Sequence, residues 1–306
     1  MPVPDGKDAM LAITFDDGIK SHYDIAVPVL EKHGIKATFF VTINNIGKPG
    51  RITWEQVQDM QKRGMEIGNH AMTHAHLGKT LINTKGLNPE IDKIKIQQIQ
   101  KKNHDLMLFE LIAPKKIFED HGITIRTLAF AGNSRPREAV KLTKENGMLP
   151  RVFETGYYSK DDEKSHAKKL DKILKKGNYT ILMIHGVAEG TGGWSPLRNL
   201  EFFENIIADF TKHSDRLYID TMAETSSYRE RAENSTLTEL KNNEYRLDLK
   251  NPDTISGAGK VTLALNGTYK VFVNGQEISM SGTFFNASTG DVIRLAPMKE
   301  TAPEAP

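Results

Sequence analysis

The chain has 306 residues, of which 38% are hydrophobic and 26% charged, and its formal net charge is +2. This composition is that of an ordinary globular protein, and so small a net charge gives no long-range field that would mark nucleic acid as a partner. The absence of cysteine excludes disulfides, thiolate zinc sites and a cysteine nucleophile, so any metal must be bound by His, Asp or Glu.

The first part of the chain alternates predicted strands and helices. Apolar runs at 10–15, 37–42 and 66–68 predict buried strands, and helical spacing of apolar residues at 25–33 and 54–63 predicts the helices between them. This alternation indicates a parallel sheet with crossover helices, whose ligand sites lie at the carboxyl ends of the strands. The fold class is therefore α/β.

The same pattern continues to about residue 228 and then changes. Further elements of the α/β pattern are predicted as helices at 89–111 and 113–120 and strands at 127–130, 151–155, 180–184 and 217–220. After Tyr228 the chain has short alternating segments, predicted as strands at 245–249, 261–265, 269–273, 276–280 and 292–295. Asn-Gly pairs at 266–267 and 274–275 predict two-residue hairpin turns within this all-β part.

These changes predict three parts of the chain. Residues 1–230 form the α/β domain, residues 231–297 a small β-sandwich-like module, and residues 298–306, rich in Pro and Glu, a disordered tail. No apolar run approaches the ~18 residues that span a bilayer. The first residues lack the basic and apolar regions of a signal peptide, so we expect a cytoplasmic protein or an exported one whose signal is missing from this sequence.

Two adjacent carboxylates follow the first predicted strand. Asp16 and Asp17 repel each other, and burying both without a cation would be costly, so the pair calls for a metal or a shared proton. Taken alone, the pair would favour an Asx turn or a helix N-cap. His70 and His74 reverse that preference, because histidines four residues apart share one face of a helix or tight helical turn and can bind one ion.

The residues together predict metal-assisted hydrolysis. Ala71 stands where zinc proteases have a glutamate base, so the base must come from elsewhere. One Asp would complete a triad of two histidines and a carboxylate, and the other would accept a proton from the attacking water. His185 follows another apolar strand and titrates in the range useful for a general acid, with a core histidine satisfied by the backbone as the alternative.

Three motifs resemble those of a known family. Thr14-Phe15-Asp16-Asp17-Gly18, His70-x-x-Thr73-His74 and Leu182-x-x-His185 are similar in order and spacing to the motifs of polysaccharide deacetylases of carbohydrate esterase family 4, which share the NodB homology domain. The resemblance covers roughly residues 8–228. It implies a distorted (β/α) barrel of the NodB type that removes acetyl groups from N- or O-acetylated sugars, here followed by the small C-terminal all-β module.

The resemblance also implies roles for individual residues. Asp16 would be the catalytic base and His185 the catalytic acid. The metal ligands would be Asp17, His70 and His74, which in this family bind a divalent ion, usually zinc, with cobalt, nickel or manganese as alternatives.

Substrate contacts follow the family pattern less closely. The resemblance implies that Leu182 forms a wall of the acetyl pocket. In place of the family's Arg-x-Pro-Tyr-like motif, which supports the base, this chain has residues 130–136, and Arg135 could reach the base from a shifted position or lie on the surface. The family's Asp-Trp motif, which orients the acid histidine, has no clear counterpart. Trp194, in the Gly-rich segment 192–196, is a candidate to stack on a sugar face.

The sequence thus predicts a metal-dependent hydrolase that deacetylates a polysaccharide or oligosaccharide, with no nucleic-acid partner and no transmembrane segment. The family's usual substrates place such an enzyme outside the cytoplasm, in the periplasm, on the cell surface or secreted. One alternative is an amide or ester hydrolase acting on a non-carbohydrate substrate. The other is a non-catalytic carbohydrate-binding protein on the same scaffold, with the β-module as its binding part. The oligomeric state is left open.

Overall fold

Eight strands between residues 9 and 219 form one sheet in which every pairing is parallel. The structure is a computed structural model that describes residues 3–250, 259–280 and 282–297. The strands of the sheet are β1 (Ala9–Phe15), β2 (Thr38–Val41), β3 (Glu66–Asn69), β4 (Thr127–Ala129), β5 (Leu149–Arg151), β6 (Thr155–Gly156), β7 (Tyr179–Ile184) and β8 (Leu217–Ile219). Their spatial order is β5-β4-β3-β2-β1-β7-β6, and β8 pairs with β1.

The sheet curls into an incomplete barrel with an apolar layer on each face. Side chains alternate along β1, so that Ile13 and Phe15 pack in the large outer core while Ala12 packs inside with Phe40 and Ile181. Three residues separate β5 from β6, and the described residues show no ladder between these two strands. The predicted distorted (β/α) barrel is therefore confirmed, with an open seam at this point.

Helices cover the outer face of the sheet. They are α1 (Val27–Lys32), α2 (Trp54–Lys62), α3 (Leu77–Thr80), α4 (Lys93–Met107), α5 (Ala113–Asp120), α6 (Arg137–Glu145), α7 (Glu163–Ile173), α8 (Leu200–Lys212) and α9 (Met222–Asn234). The helix predicted at 89–111 is shorter, because the chain passes into a π-helical turn at Leu108–Ile112. None of the helices in the described part of the chain combines the length and apolar character that a membrane span requires.

The predicted C-terminal all-β part is also confirmed. Its strands are β9 (Ser235–Glu239), β10 (Glu244–Leu249), β11 (Lys260–Ala264), β12 (Tyr269–Val273), β13 (Gln276–Ile278), β14 (Phe284–Ser288) and β15 (Val292–Pro297). Five of them form an antiparallel sheet in the order β13-β12-β15-β10-β9, and β11 pairs with β14. Leu247, Val261 and Phe285 contribute to a core shared by the two sheets. The sequence patterns missed β9 and β14.

One of the two predicted hairpins is wrong. Asn274-Gly275 joins β12 to β13, with Val273 opposite Gln276, as expected. Asn266-Gly267 joins β11 to β12, but β11 pairs with β14 and β12 with β15, so this turn links two sheets. The reason is that a turn signal is local, whereas strand partners are chosen by the packing of the whole module.

The module packs against the amino-terminal ends of the barrel strands. Tyr228 of α9 forms a small cluster there with Val3 and with Met10 of β1. The Thr262 backbone N–H donates to the Tyr228 hydroxyl at 3.3 Å. Since α9 ends at Asn234 and β9 begins at the next residue, our division near residue 230 remains a proposal. The predicted tail at 298–306 lies outside the described residues.

Candidate active site

Polar side chains converge at the carboxyl ends of the barrel strands, opposite the module. Asp16 and Asp17 follow β1, His70 follows β3 and His185 follows β7. They line a cavity of about 450 Å³ whose wall comprises Asp16, Asp17, His70, His74, His76, Gly132, Asn133, Tyr158, Met183, His185 and Trp194. The parallel register explains this gathering, because it brings strand ends that are distant in sequence to one edge of the sheet.

Asp17, His70 and His74 point at one another. The Asp17 Oδ1 atom lies 3.1 Å from His74 Nε2 and 3.4 Å from His70 Nε2. Neither contact has hydrogen-bond geometry, and this buried oxygen has no other hydrogen-bond partner among the described residues. One ligand atom from each residue lies within 4.8 Å of the others. An orphaned carboxylate oxygen facing two imidazole nitrogens fits a divalent metal site.

The backbone around these ligands is fixed by specific contacts. His70 Nδ1 lies 2.8 Å from the Ala129 carbonyl oxygen, so this nitrogen donates and leaves the Nε2 lone pair for an ion. Asp17 has a positive φ of 82°, and Arg51 donates to its carbonyl oxygen at 2.7 Å. Such a conformation is unfavourable for Asp and persists only where neighbouring contacts hold it.

The two histidines do not lie on a helix. Residues 70–76 form a loop in which Ala71 and His74 both have a φ of 69°. The expected helix or helical turn is therefore wrong, because side-chain hydrogen bonds replace a helical ladder. The carboxylate of Glu110, buried in the π-helical turn, accepts from the Thr73 backbone N–H at 2.9 Å and from its hydroxyl at 2.6 Å.

Asp16 is held by an arginine that the sequence analysis did not single out. Arg151, at the end of β5, donates to Asp16 Oδ1 at 2.7 Å and to Oδ2 at 2.5 Å, and also to the Thr14 hydroxyl at 2.9 Å. Both side chains are buried. Burial is the largest single influence and acts to raise the pKa of Asp16, but the charge and hydrogen bonds of Arg151 together with the nearby His70 and His185 outweigh it and lower that pKa, so the carboxyl is ionised.

Arg135 does not reach the base. It donates to the Val152 carbonyl oxygen at 2.8 Å and forms an ion pair with Glu154. Arg135 thus supports the segment that joins β5 to β6, and Arg151 takes the place that we expected for it. The sequence did mark Arg151 as unusual, because it is a charged residue at the start of a predicted buried strand.

His185 has an unusual setting for a candidate acid. Its Nδ1 atom is buried and has no hydrogen-bond partner among the described residues. Burial lowers its pKa, against the opposing influence of the Asp16 and Asp17 charges. Its ring contacts the edge of Trp194, with a centroid distance of 5.1 Å.

A second histidine, missed by the sequence analysis, fixes the main chain of His185. His22 Nε2 lies 2.7 Å from the His185 carbonyl oxygen, so this nitrogen donates. His22 is fully buried between Phe15 and Phe39, and burial lowers its pKa to about 4. A neutral His22 therefore holds the end of β7 in place at neutral pH.

Leu182 lies outside the cavity, and its neighbour Met183 lines it. The alternation along β7 explains the difference, because Met183 is paired with Thr14, whose side chain faces the barrel interior, whereas Leu182 packs in the outer core. Met183 thus occupies the position on the cavity wall that we expected for Leu182.

Two loops form an aromatic rim on the cavity. Trp194, 62% exposed, meets Tyr158 edge to face at 5.6 Å. The loops are joined by Ser159, whose backbone N–H donates to the Ser195 hydroxyl at 3.1 Å. On another part of the wall Gly132 has a φ of 56°, and a Cβ there would lie 2.4 Å from the His76 ring, so only glycine fits.

Comparison with known proteins shows which family this chain is similar to. The sequence model of the family described as polysaccharide deacetylase matches residues 4–149. The chain is 36% identical over 89 residues to the putative polysaccharide deacetylase YxkH of Bacillus subtilis, a match covering 29% of each protein. It is 37% identical over 87 residues to a chitin deacetylase of Arthroderma benhamiae, which covers 28% of this chain and 22% of that one.

Among solved structures, the Bc1960 peptidoglycan N-acetylglucosamine deacetylase superposes with a TM-score of 0.51 at 19% identity, over 72% of this chain and 89% of that one. This likeness concerns the fold. The matched stretch spans less than a third of the length of the curated relatives named above.

Proposed function

We propose that this chain, which belongs to the polysaccharide deacetylase family, is a metal-dependent hydrolase that removes N- or O-linked acetyl groups from a polysaccharide or oligosaccharide. The division of labour at the end of β1 carries the proposal. Asp17 faces two histidines, whereas Asp16 is turned toward Arg151. Asp16, Asp17, His70 and His74 fall within the stretch that the family model matches, whereas His185 lies beyond it.

Asp17, His70 and His74 would hold the metal. The three side chains offer one carboxylate oxygen and two imidazole nitrogens, a donor set that suits zinc, with cobalt, nickel or manganese as alternatives. A divalent ion bound there would polarise the acetyl carbonyl and increase the acidity of water. The hydrogen bond between His70 and Ala129 would keep one ligand in the required orientation.

Asp16 would act as the general base. Its carboxylate is ionised and lies beside the proposed ligands, on the wall of the same cavity. Arg151 contacts both of its oxygens, so the carboxylate has a fixed orientation from which to accept a proton from the attacking water. The same arginine balances the buried negative charge, which Asp16 could not carry alone at this depth.

His185 would protonate the departing sugar amine or alcohol. Its pKa is lowered, so the imidazole must first take up a proton, such as the one that Asp16 removes from the attacking water, and its imidazolium form is then a stronger acid toward the leaving group. His22 would position this residue through the main chain, since it donates to the His185 carbonyl oxygen.

The cavity wall suggests how substrate is held. Met183 would contact the acetyl methyl group in the role first assigned to Leu182, and Trp194 would pack against a sugar ring. Arg135 faces Glu154, so its proposed part is to support the segment beside Arg151. We place the protein outside the cytoplasm, in the periplasm, on the cell surface or secreted, because acetylated structural polysaccharides occur there.

Metal analysis combined with acetate release tests the proposal. The purified chain would be assayed on acetylated xylan, chitin oligomers, peptidoglycan and a panel of small amides, beside the variants Asp16→Asn and Asp17→Asn. We expect Asp16→Asn to keep its metal and lose turnover by a factor on the order of 10² or more, and Asp17→Asn to lose the metal. Wild-type rates in Asp16→Asn would remove the base assignment. Release from small amides alone would favour the non-carbohydrate hydrolase, and binding without turnover the non-catalytic protein.

A further inference from the structure

Positive charge is dense in residues 164–176, which follow three acidic residues at 161–163. Residues 164–176 contain six lysines and one aspartate, a net charge of +5, whereas the whole chain carries +2. The segment comprises most of α7 and the turn that leads into β7.

Three of these lysines lie along one side of the helix, and a fourth follows in the turn after it. Lys164, Lys168 and Lys172 stand four residues apart within α7, which places them on one helix face, Lys176 comes four residues later, and all four are exposed. We call this row the lysine stripe. Its members form no ion pair with a carboxylate in the described residues, whereas Lys169, off the stripe, pairs with Asp161 at 2.6 Å.

Helix stability does not explain this arrangement. Like charges four residues apart destabilise a helix, and α7 contains two such pairs in succession, Lys164 with Lys168 and Lys168 with Lys172. A favourable interaction with the helix dipole is confined to the last turn, so it does not account for Lys164 and Lys168. A row of mutually repelling, unpaired cations is therefore better explained by an anion that lies along it.

The stripe leads away from the candidate active site. Because α7 follows the loop that carries Tyr158, it starts at the carboxyl ends of the strands, beside the catalytic cavity, and runs down to the start of β7. There Lys172 and Lys176 line a second cavity of about 610 Å³ at the open seam of the barrel.

We propose that the lysine stripe binds the carboxylate groups of an acidic polysaccharide, so that the polymer deacetylated in the catalytic cavity is anionic. This inference rests on the proposed function. Successive lysines are about 6 Å apart along the helix axis, a repeat on the scale of one sugar unit. Lysine supplies a point charge that either a carboxylate or a phosphate can neutralise. The proposed polysaccharide substrate of the catalytic cavity favours carboxylates, and duplex DNA and polyphosphate are therefore included in the test below.

Binding of polygalacturonate to the intact chain tests this inference. The polymer carries carboxylates and no acetyl groups, so its binding does not depend on catalysis. The test variant is Lys168→Gln combined with Lys172→Gln and Lys176→Gln. A matched control, Lys93→Gln with Lys95→Gln and Lys102→Gln, removes the same charge from exposed, unpaired lysines of α4. Affinities would be measured by titration calorimetry at low and high salt, and circular dichroism would verify the fold.

We expect the stripe variant to lose affinity by about tenfold and the control by no more than about twofold. Salt should weaken wild-type binding, and neutral xylan should bind less tightly. Equal losses in both variants, salt-independent binding, or tighter binding of duplex DNA or polyphosphate than of polygalacturonate would overturn the inference. Failure of acetate release with polygalacturonate binding intact would count against the proposed function alone, and the reverse result against the stripe alone.

Discussion

The two ends of the barrel are built on opposite principles. At the carboxyl ends of the strands, Asp17, Ala71 and His74 have positive φ values, and polar atoms of Asp17 and His185 are buried without hydrogen-bond partners among the described residues. At the amino ends, Val3, Met10 and Tyr228 pack together and the β-module covers them. The amino end also contains a positive φ at Asp5 and a buried Arg231 Nε without a hydrogen-bond partner among the described residues, but an apolar cluster closes it, whereas the strained and unsatisfied groups of the carboxyl end line an open cavity.

This contrast explains where the chain can tolerate unfavourable local structure. Residues in uncommon conformations cost free energy and persist only where their surroundings over-determine them. Around the candidate site that support comes from Arg51, Glu110 and His22, whose side chains form hydrogen bonds with the backbone or side chains of the site loops. Substitutions at the two ends should therefore have separable effects on turnover and on stability.

The largest effect is expected at Arg151, because this residue should affect both stability and turnover. Replacing Arg151 with Met leaves Asp16 as a buried charge without its partner, so the free energy of unfolding should fall by about 3 to 5 kcal/mol and turnover should fall with it. Urea denaturation and acetate release would measure both. Arg135→Met is the matched control. It should lower the free energy of unfolding by about 1 kcal/mol, because Glu154, the partner of Arg135, lies nearer the surface than Asp16. Equal losses would show that Asp16 does not depend on Arg151.

Acid should lower the stability of the fold through His22, which holds the carboxyl end of β7 in place. Its pKa is about 4 in the folded chain and near 6.5 when unfolded, so below pH 6.5 protons bind preferentially to the unfolded chain. The associated stability is present above pH 6.5 and is lost as the pH falls toward 4. We expect a loss of about 2 to 3 kcal/mol between pH 7 and 4.5.

His22→Gln tests this assignment, because glutamine keeps a donor for the His185 carbonyl but does not titrate. The free energy of unfolding should fall between pH 7 and pH 4.5 by about 2 to 3 kcal/mol less in this variant than in the wild type. Urea denaturation at the two pH values would measure the difference. An unchanged difference between the two pH values would assign the acid sensitivity to other groups.

A moderate effect is expected at the aromatic rim. Trp194→Ala should raise KM for a polymeric substrate by about fivefold, since an aromatic contact contributes about 1 kcal/mol. Turnover should change less, because Trp194 meets His185 only at a ring edge. Ile91→Ala, which removes an exposed apolar side chain near α4, should leave both constants unchanged. A change in turnover alone would assign Trp194 to the orientation of His185.

The smallest effect is expected at the amino end. Tyr228→Phe removes the acceptor for the Thr262 backbone N–H and should lower stability by about 1 kcal/mol. Turnover should be unchanged, because this contact lies at the far end of the barrel from the cavity. A loss of activity in a folded variant would show that the two ends are coupled.

The order of strands and the residues at their ends could be predicted from the sequence. Apolar runs that end in Asp16, His70 and His185 gave the position of the candidate site, because a parallel sheet brings its carboxyl ends together. Arg151 could not be assigned, since its contact with Asp16 spans 135 residues and depends on the curl of the sheet. Arg135 looked equally suitable in the sequence.

Predictions from local sequence patterns were wrong where tertiary contacts determine the structure. The spacing of His70 and His74 suggested a helix, but bonds to Glu110 and Ala129 hold them in a loop. Leu182 and Met183 differ by one position along β7, and only the direction of the side chain decides which of them lines the cavity. No sequence pattern identified His22, because its role depends on the carbonyl oxygen of His185, which is far away in the sequence.

The packing of residues 3–6 against the β-module has a consequence for the order of folding during synthesis. Asp5 accepts a hydrogen bond from Asn286, and Gly6 fits closely against the Phe284 ring, so this contact joins residues 281 positions apart. On the ribosome the first segment must wait until nearly the whole described chain has emerged. The apolar residues around Val3 and Met10 would then stay uncovered longest, which makes them the surface that a chaperone would have most reason to bind.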